Sequence, residues 1–321
     1  MTAGIHHVTA ICGDAQRNVD FYAGVLGLRL VKRTVNFDDP QTYHLYFGNE
    51  SGAPGSLITF FPWGDAPRGR VGPGQVAVTS LAVGKNALGF WIARLLSKGI
   101  KYAGPSARRF GKVDEQVLAF EDPDGMLLEI VATPAVASGA AWDGGNGIPA
   151  ESAIRGIHGV TLWEEHGELT SSFLTEVLSL AHLDADGTTE RLAIDGHYSG
   201  SAVQVRTTGG FPRGHVEVGT VHHVAWRVKD AAAQLAMRER LAAAGLDPTP
   251  VIDRKYFTSV YFREPGGVLF EIATDGPGFA IDESMGHLGE ELMLSEQLEP
   301  RRAYLAATLP PIHTRQRESS A

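Results

Sequence analysis

Two histidine pairs, His6-His7 and His222-His223, open two stretches that share one strand pattern. A single carboxylate, Glu271, interrupts the apolar run Val268-Leu269-Phe270-Glu271-Ile272-Ala273. Burying an unpaired charge is costly, so such a group ordinarily finds a partner or a metal. Two imidazoles and one carboxylate make the facial triad of non-haem iron(II) oxygenases, which leaves coordination positions free for O2 and an organic ligand. Manganese(II) accepts the same donors, so the set defines the ligands better than the ion. Cys12 is the only cysteine, which excludes an intrachain disulfide and any thiolate cluster and leaves imidazole and carboxylate to do the binding.

Groups so far apart in sequence need a scaffold that brings them together, and internal repeats supply one. A pattern of strand, helix and three strands recurs four times. The first module has strands at 4–10, 28–33, 43–47 and 56–61, with a helix near 18–24 closed by Gly27. The second begins near Val76, has a helix at 88–98 capped by Gly99, and ends at 126–131 after the turn Asp122-Pro123-Asp124-Gly125. The third runs from Ile154, with a helix near 169–180, to about Arg206. The fourth starts at Thr220, has the Ala-rich helix 231–244 capped by Gly245, and ends with the Glu271 strand after Glu264-Pro265-Gly266-Gly267. The stretch 134–152 is rich in Ala, Gly, Ser and Pro and reads as a linker between a domain at 1–133 (modules one and two) and another at 153–275 (modules three and four). Residues 276–321 form an extension expected to wrap the outside, with a disordered polar end.

The repeats also act as an internal control. Laying first strand on first strand puts Gly159 where His7 stands and Val78 where His223 stands; Glu129 corresponds to Glu271, and Thr59 and Gln204 fill the fourth place. Modules one and four thus offer His7, Thr59, His223 and Glu271, whereas modules two and three offer Val78, Glu129, Gly159 and Gln204. Only the first set suits a divalent metal, with His7, His223 and Glu271 as ligands. Glu129 occupies the same place without histidines, which suits a structural salt bridge. Strand alternation puts Thr9 on the face of His7. By the same rule His6 and His222 point away, unless the strand start bulges; otherwise they bond to neighbouring backbone. Read as isolated residues, Arg254 suits a surface ion pair and Tyr261 a core aromatic.

The chain is 321 residues long, 43% apolar and 20% charged, a composition suited to two globular domains. A net charge of −9 without a Lys/Arg block gives no footprint for nucleic acid. No apolar stretch approaches the ~20 residues of a membrane helix, and the N-terminus lacks the pattern of a signal peptide. The expected partner is a small molecule and the expected address the cytoplasm; a homo-oligomer is compatible with the sequence, which does not fix that state.

These segments resemble the vicinal oxygen chelate superfamily and, within it, the ring-cleaving dioxygenases of hydroquinones and chlorohydroquinones. The resemblance covers nearly the whole chain: Gly4-Ile5-His6-His7-Val8-Thr9, Tyr22-Ala23-Gly24-Val25-Leu26-Gly27-Leu28, Val221-His222-His223-Val224-Ala225, Asp253-Arg254-Lys255-Tyr256-Phe257, Ser259-Val260-Tyr261-Phe262, the Glu271 strand and Leu288-Gly289-Glu290. It implies an α+β fold of four βαβββ modules paired into two domains with cupped mixed β-sheets. It further implies iron(II) held by His7, His223 and Glu271, with His6, Thr9, His222, Arg254 and Tyr261 acting around it on an aromatic diol and O2. Arg254 would offset charge on a phenolate, and Tyr261 with a nearby His would move protons. Two other activities fit the fold: a glyoxalase-type isomerase or lyase, against which Thr59 in the fourth ligand place argues, and a non-catalytic protein that sequesters an aromatic compound.

Overall fold

The computed structural model describes residues 2–136, 142, 146–194, 196 and 199–314. Each module is built as its pattern predicts. Module one contains β1 (Ile5–Cys12), α1 (Ala15–Val19), β2 (Arg29–Val35), β3 (Tyr43–Gly48) and β4 (Leu57–Pro62). Its helix is shorter than expected, because after Val19 the turns widen into a π-helical segment, Asp20–Val25. Module two contains β5 (Gln75–Gly84), α2 (Leu88–Ser97), β6 (Tyr102–Phe110), β7 (Val113–Glu121) and β8 (Leu127–Thr133). Module three contains β9 (Gly156–Glu164), α3 (Gly167–Glu176), β10 (Ala181–Asp186), β11 (Thr189–Ala193) and β12 (Ala202–Thr207). Module four contains β13 (Thr220–Val228), α4 (Ala231–Ala243), β14 (Ile252–Asp253), β15 (Thr258–Arg263) and β16 (Leu269–Thr274).

The strands form two curled, mixed eight-stranded sheets. One runs β14-β15-β16-β13-β1-β4-β3-β2 and the other β10-β11-β12-β9-β5-β8-β7-β6. The first therefore joins modules four and one through an antiparallel β1/β13 seam, and the second joins modules three and two through β5/β9. The division into sheets does not follow the division of the chain at 134–152, since every sheet takes one module from each side. Within that stretch, 137–141 and 143–145 lie outside the described residues, as does the polar end at 315–321.

In the first sheet one face joins the main core, where Val8, Ala10, Val224, Trp226, Phe270 and Ile272 pack with Met237 and Leu241 of α4. The opposite face carries His7, Thr9, His223 and Glu271 and forms the inside of a cup. Apolar side chains fill one end of it: Val31, Tyr46, Leu57, Ala225, Tyr256, Phe257 and Ala273 pack with Phe279 and Leu288. The last two belong to the C-terminal extension, which enters the cup as well as running along its outside. Small residues leave the room, and a Cβ at Gly52 would lie 2.8 Å from the Phe279 ring. Lys32, fully buried, pins the extension through ion pairs to Asp282 at 2.7 Å and to Glu283. Further on, Leu292 bridges Arg33, and α5 (Arg302–Thr308) precedes Pro310, whose carbonyl accepts from the Tyr43 hydroxyl at 3.0 Å.

Candidate metal centre

The β1/β13 seam fixes the site. His223 is the register partner of Thr9, and His7 that of Ala225, beside which Glu271 lies on the parallel β16. His7 Nε2 lies 3.2 Å from His223 Nε2 and 3.3 Å from Glu271 Oε2, and His223 Nε2 lies 2.9 Å from the same oxygen. All three side chains are buried. Three mutually cis donors ~2.1 Å from one ion stand ~3 Å apart, so the spacing matches one face of an octahedral site. Among the described residues, no other group of three His, Cys, Asp or Glu side chains converges in this way. Burial works to raise the Glu271 carboxyl, but the His7 and His223 imidazoles outweigh it and hold the group well below the usual carboxylate range. Burial lowers His223 despite the pull of Glu271, which favours the neutral imidazole that a divalent cation requires.

His6 and His222 do not point away, contrary to the alternation rule. The β1/β13 ladder slips between Ile5 and His7 and again between Thr9 and Ala10, where it passes from His223 to Val221. Each slip is a β-bulge with an extra histidine, and a bulge re-aims the side chain it carries. The core shows the same phase shift, because Ile5 and Val8 are both in it although they are three residues apart. His6 Nδ1 is consequently 2.9 Å from His7 Nδ1, and His222 Nδ1 is 2.8 Å from His223 Nδ1. For His7 and His223 to offer Nε2 to a metal, each must carry its proton on Nδ1 and donate it to the neighbouring histidine, which fixes tautomer and ring direction. Burial lowers His6 to about 3, aided by His7, and His222 to about 3, aided by His223. Both accept as neutral rings.

Around these, Ser259 Oγ donates to Glu271 Oε1, and Phe257 lies 5.1 Å from the His6 ring and 5.3 Å from that of His7. Thr9 joins a polar chain: its hydroxyl is 2.8 Å from that of Thr59, which is 2.9 Å from His44 Nε2, while His44 Nδ1 is 2.8 Å from the Tyr46 hydroxyl. On the opposite side Tyr261 packs against His223 with ring centroids 5.6 Å apart, and Arg254 Nε donates to the Tyr261 hydroxyl at 3.3 Å. Arg254 also reaches across to Asp38 of module one at 2.9 Å. Burial and the Glu271 charge push the Tyr261 hydroxyl up, so it keeps its proton. All eight residues singled out in the sequence thus meet at one place. Ser259, His44 and Tyr46 were missed, although alternation puts Ser259 on the face of Tyr261 and makes His44-Leu45-Tyr46 polar on one side only.

The second sheet keeps the bulges and loses the site. Its β5/β9 ladder slips at Ala77 and His158, which match His222 and His6. A Cβ at Gly159 would lie 2.1 Å from the Ala202 carbonyl oxygen, so no histidine fits opposite His7's place. Glu129 is neutralised by Arg108 Nη1 at 2.8 Å and accepts from Ser80 at 2.7 Å. His158 turns instead to Glu115, 3.1 Å away. A guanidinium supplies the charge that a cation would supply in the first cup.

Comparison with known proteins agrees with this fold. The family model described as Glyoxalase/Bleomycin resistance protein/Dioxygenase superfamily matches residues 4–130 and 156–272. MhqO of Bacillus subtilis (strain 168), named as a candidate ring-cleaving dioxygenase, is 47% identical over 98% of each chain. The chlorohydroquinone/hydroquinone 1,2-dioxygenase of Sphingobium indicum is 36% identical over 95% of each chain. A crystal structure of a candidate dioxygenase from Bacillus subtilis is 45% identical, covers 98% of this chain and 99% of its own, and superposes with a TM-score of 0.90. The chain belongs to the glyoxalase/bleomycin resistance/dioxygenase superfamily, and its relatives at this level of identity carry the names of ring-cleaving dioxygenases.

Proposed function

We propose that the protein is an iron(II)-dependent ring-cleaving dioxygenase of extradiol type, which inserts both atoms of O2 into a hydroquinone-like aromatic diol. The observation that carries this reading is the buried triad His7, His223 and Glu271, with donor atoms 2.9 to 3.3 Å apart and, among the described residues, no further His, Cys, Asp or Glu converging on them. Thr59, which occupies that place, is instead bound to Thr9 and His44, which speaks against a glyoxalase-type site with four protein ligands. An iron(II) ion held there would supply Lewis acidity and open positions for a phenolic oxygen and O2; manganese(II) suits the same donors.

The chain's own groups divide the remaining work. His6 and His222 hold the ligand rings. Arg254, kept charged beside Tyr261 and Asp38, favours an ionised ring oxygen. Tyr261 holds a proton at its hydroxyl, next to His223, from which it can be given to the opening ring. No helix among the described residues is long and apolar enough to cross a membrane, and a single buried cysteine suits the reducing cytoplasm in which we place the enzyme. The test is oxygen uptake by anaerobically iron-loaded protein given hydroquinones, catechols and hemithioacetals in turn. Uptake with hydroquinones at one O2 per ring opened is expected; isomerisation without uptake, or binding without turnover, would each replace the assignment.

A further inference from the structure

Tyr46, His44, Thr59 and Thr9 are joined in that order by hydrogen bonds of 2.8, 2.9 and 2.8 Å, and counting protons fixes their direction. The Tyr46 hydroxyl is buried and pushed up by burial, so it keeps its proton, and among the described residues His44 Nδ1 is its one hydrogen-bond partner. An O–H left unpaired in a buried place is costly, so Tyr46 donates to His44 Nδ1. Burial, helped by His7 and His223, holds His44 well below its usual range. A neutral ring that accepts at Nδ1 carries its proton on Nε2, so His44 donates to Thr59. The bond between Thr9 and Thr59 then uses one of their two hydroxyl protons and leaves the other without a partner in the protein. The opposite tautomer of His44 would use both.

Register puts this spare proton at the candidate metal centre. Across the β1/β13 seam His7 pairs with Ala225 and Thr9 with His223, so His7 answers to His223 and Thr9 to Ala225. β4 sets Thr59 beside Thr9 as β16 sets Glu271 beside Ala225, so Thr59 faces the centre from the other side of the seam. His44 is in turn within electrostatic reach of His7, His223, Arg254 and Glu271. Phe61 follows Thr59 by two on β4, and its ring centroid lies 4.4 Å from that of the half-buried His44. Flat walls beside the hydroxyl suit an aromatic ring.

We propose that Thr59, accepting from both His44 and Thr9, gives its own hydroxyl proton to the ring oxygen of the substrate, so that the fourth ligand place receives the substrate through a hydrogen bond. A carboxylate there would compete with the phenolic oxygen as a ligand and repel its charge, whereas a hydroxyl held as a donor attracts it. Tyr46 and His44 keep it a donor, because together they occupy its acceptor side. The inference rests on the function proposed above and adds the residue that meets the reacting ring oxygen.

Two measurements test it. NMR of the isotope-labelled ring nitrogens in the unaltered, zinc-loaded protein, which is diamagnetic and takes the same donors, should show His44 protonated on Nε2 and bare on Nδ1. Anaerobic calorimetry on the iron-loaded protein then compares 4-methylphenol with 4-methylbenzenethiol, whose sulfur is a weak acceptor. Thr59→Val keeps the shape and loses the hydroxyl; it should weaken the phenol about tenfold, the effect of one buried hydrogen bond, and leave the thiol unchanged. Thr59→Ser should keep both affinities, and Thr9→Val, which leaves Thr59 its proton, should weaken the phenol less than Thr59→Val does. A proton on His44 Nδ1, or a Thr59→Val protein that binds the phenol as the parent does or loses phenol and thiol alike, overturns the inference while leaving the dioxygenase reading to its own oxygen-uptake assay. A Thr59→Val protein with only its KM for O2 raised overturns it as well, since the donor would then serve dioxygen. Failure of the unaltered protein to bind the phenol overturns both.

Discussion

At the scale of the residue, identical groups act differently because of what faces them. Glu271 and Glu129 occupy equivalent places, yet one meets two imidazoles and the other a guanidinium. Glu271→Ala or His223→Ala is therefore expected to bring metal content, measured by elemental analysis, from about one ion per chain to near zero. Glu129→Ala should leave it unchanged, and metal loss from that variant would remove the assignment. Arg254 bonds both the Tyr261 hydroxyl and Asp38, and its planar fork is what permits both at once. Arg254→Ala should keep the metal and lower turnover on the order of 10² to 10³, as removal of a donor to developing negative charge does elsewhere. Arg254→Lys keeps the charge without the fork and should restore only part of the rate. Full turnover in both variants would make Arg254 a surface residue. That His7, His223 and Glu271 converge was legible from residue type and module position alone.

At the scale of the element, the controlling feature is a pair of bulges that no period-two reading contains. The register slips at His6 and His222 turn both rings toward the ligand imidazoles, whereas uninterrupted strands would have turned them into the core. His44 and Tyr46 escaped notice for a different reason, since their partner Thr59 lies on another strand and a sequence shows strand faces but not which faces meet. His6→Phe keeps the ring packed near Phe257 and deletes the bond to His7. Metal affinity, followed by competition with a chelator, should fall about 10- to 100-fold, the usual effect of removing the group that orients a ligating histidine. Unchanged affinity would mean that strand packing alone fixes His7. A second buried carboxylate tests how modules three and four pack. Glu164 lies close to Glu264, which accepts from Thr170 at 2.7 Å, and burial with the Glu264 charge pushes Glu164 up to about 8. Its folded value lies above the unfolded one near 4.5, so the folded protein binds more protons between those pH values and loses stability as pH rises through that window. At ~1.4 kcal/mol per pH unit the loss amounts to a few kcal/mol by pH 8. Glu164→Gln should flatten the profile, with denaturant midpoints above the parent's at pH 8 and close to it at pH 5; parallel profiles would refute the protonated carboxyl.

At the scale of the whole molecule, the four modules and their lengths were readable from the repeats, but their partnership in sheets was not. Short-range pattern specifies which residues form a strand; it does not specify that β1 pairs with β13 rather than with the nearer β5. The ligand sets hinted at it, because His7 of module one needed His223 and Glu271 of module four. The C-terminal extension was misjudged for a related reason, since Phe279 and Leu288 enter the cup only because Gly52, Ala225 and Ala273 leave space on strands far away in sequence. Once those strands pair, each half of the chain holds one half of each sheet, and the β1/β13 and β5/β9 seams both cross the linker. A chain opened between residues 134 and 152 is then expected to yield two pieces that each expose a seam edge and neither of which holds all three ligands. The N-terminal piece has His7 alone, and the C-terminal piece has His223 and Glu271, with Glu283 deprived of the buried Lys32 and Asp282 keeping only Lys255. Separately purified pieces should show no tight metal binding, whereas pieces refolded together should recover it along with oxygen uptake, because His7, His223 and Glu271 all lie outside the linker. Tight binding of iron by the C-terminal piece alone would show that two ligands suffice and that the seam is not what assembles the site.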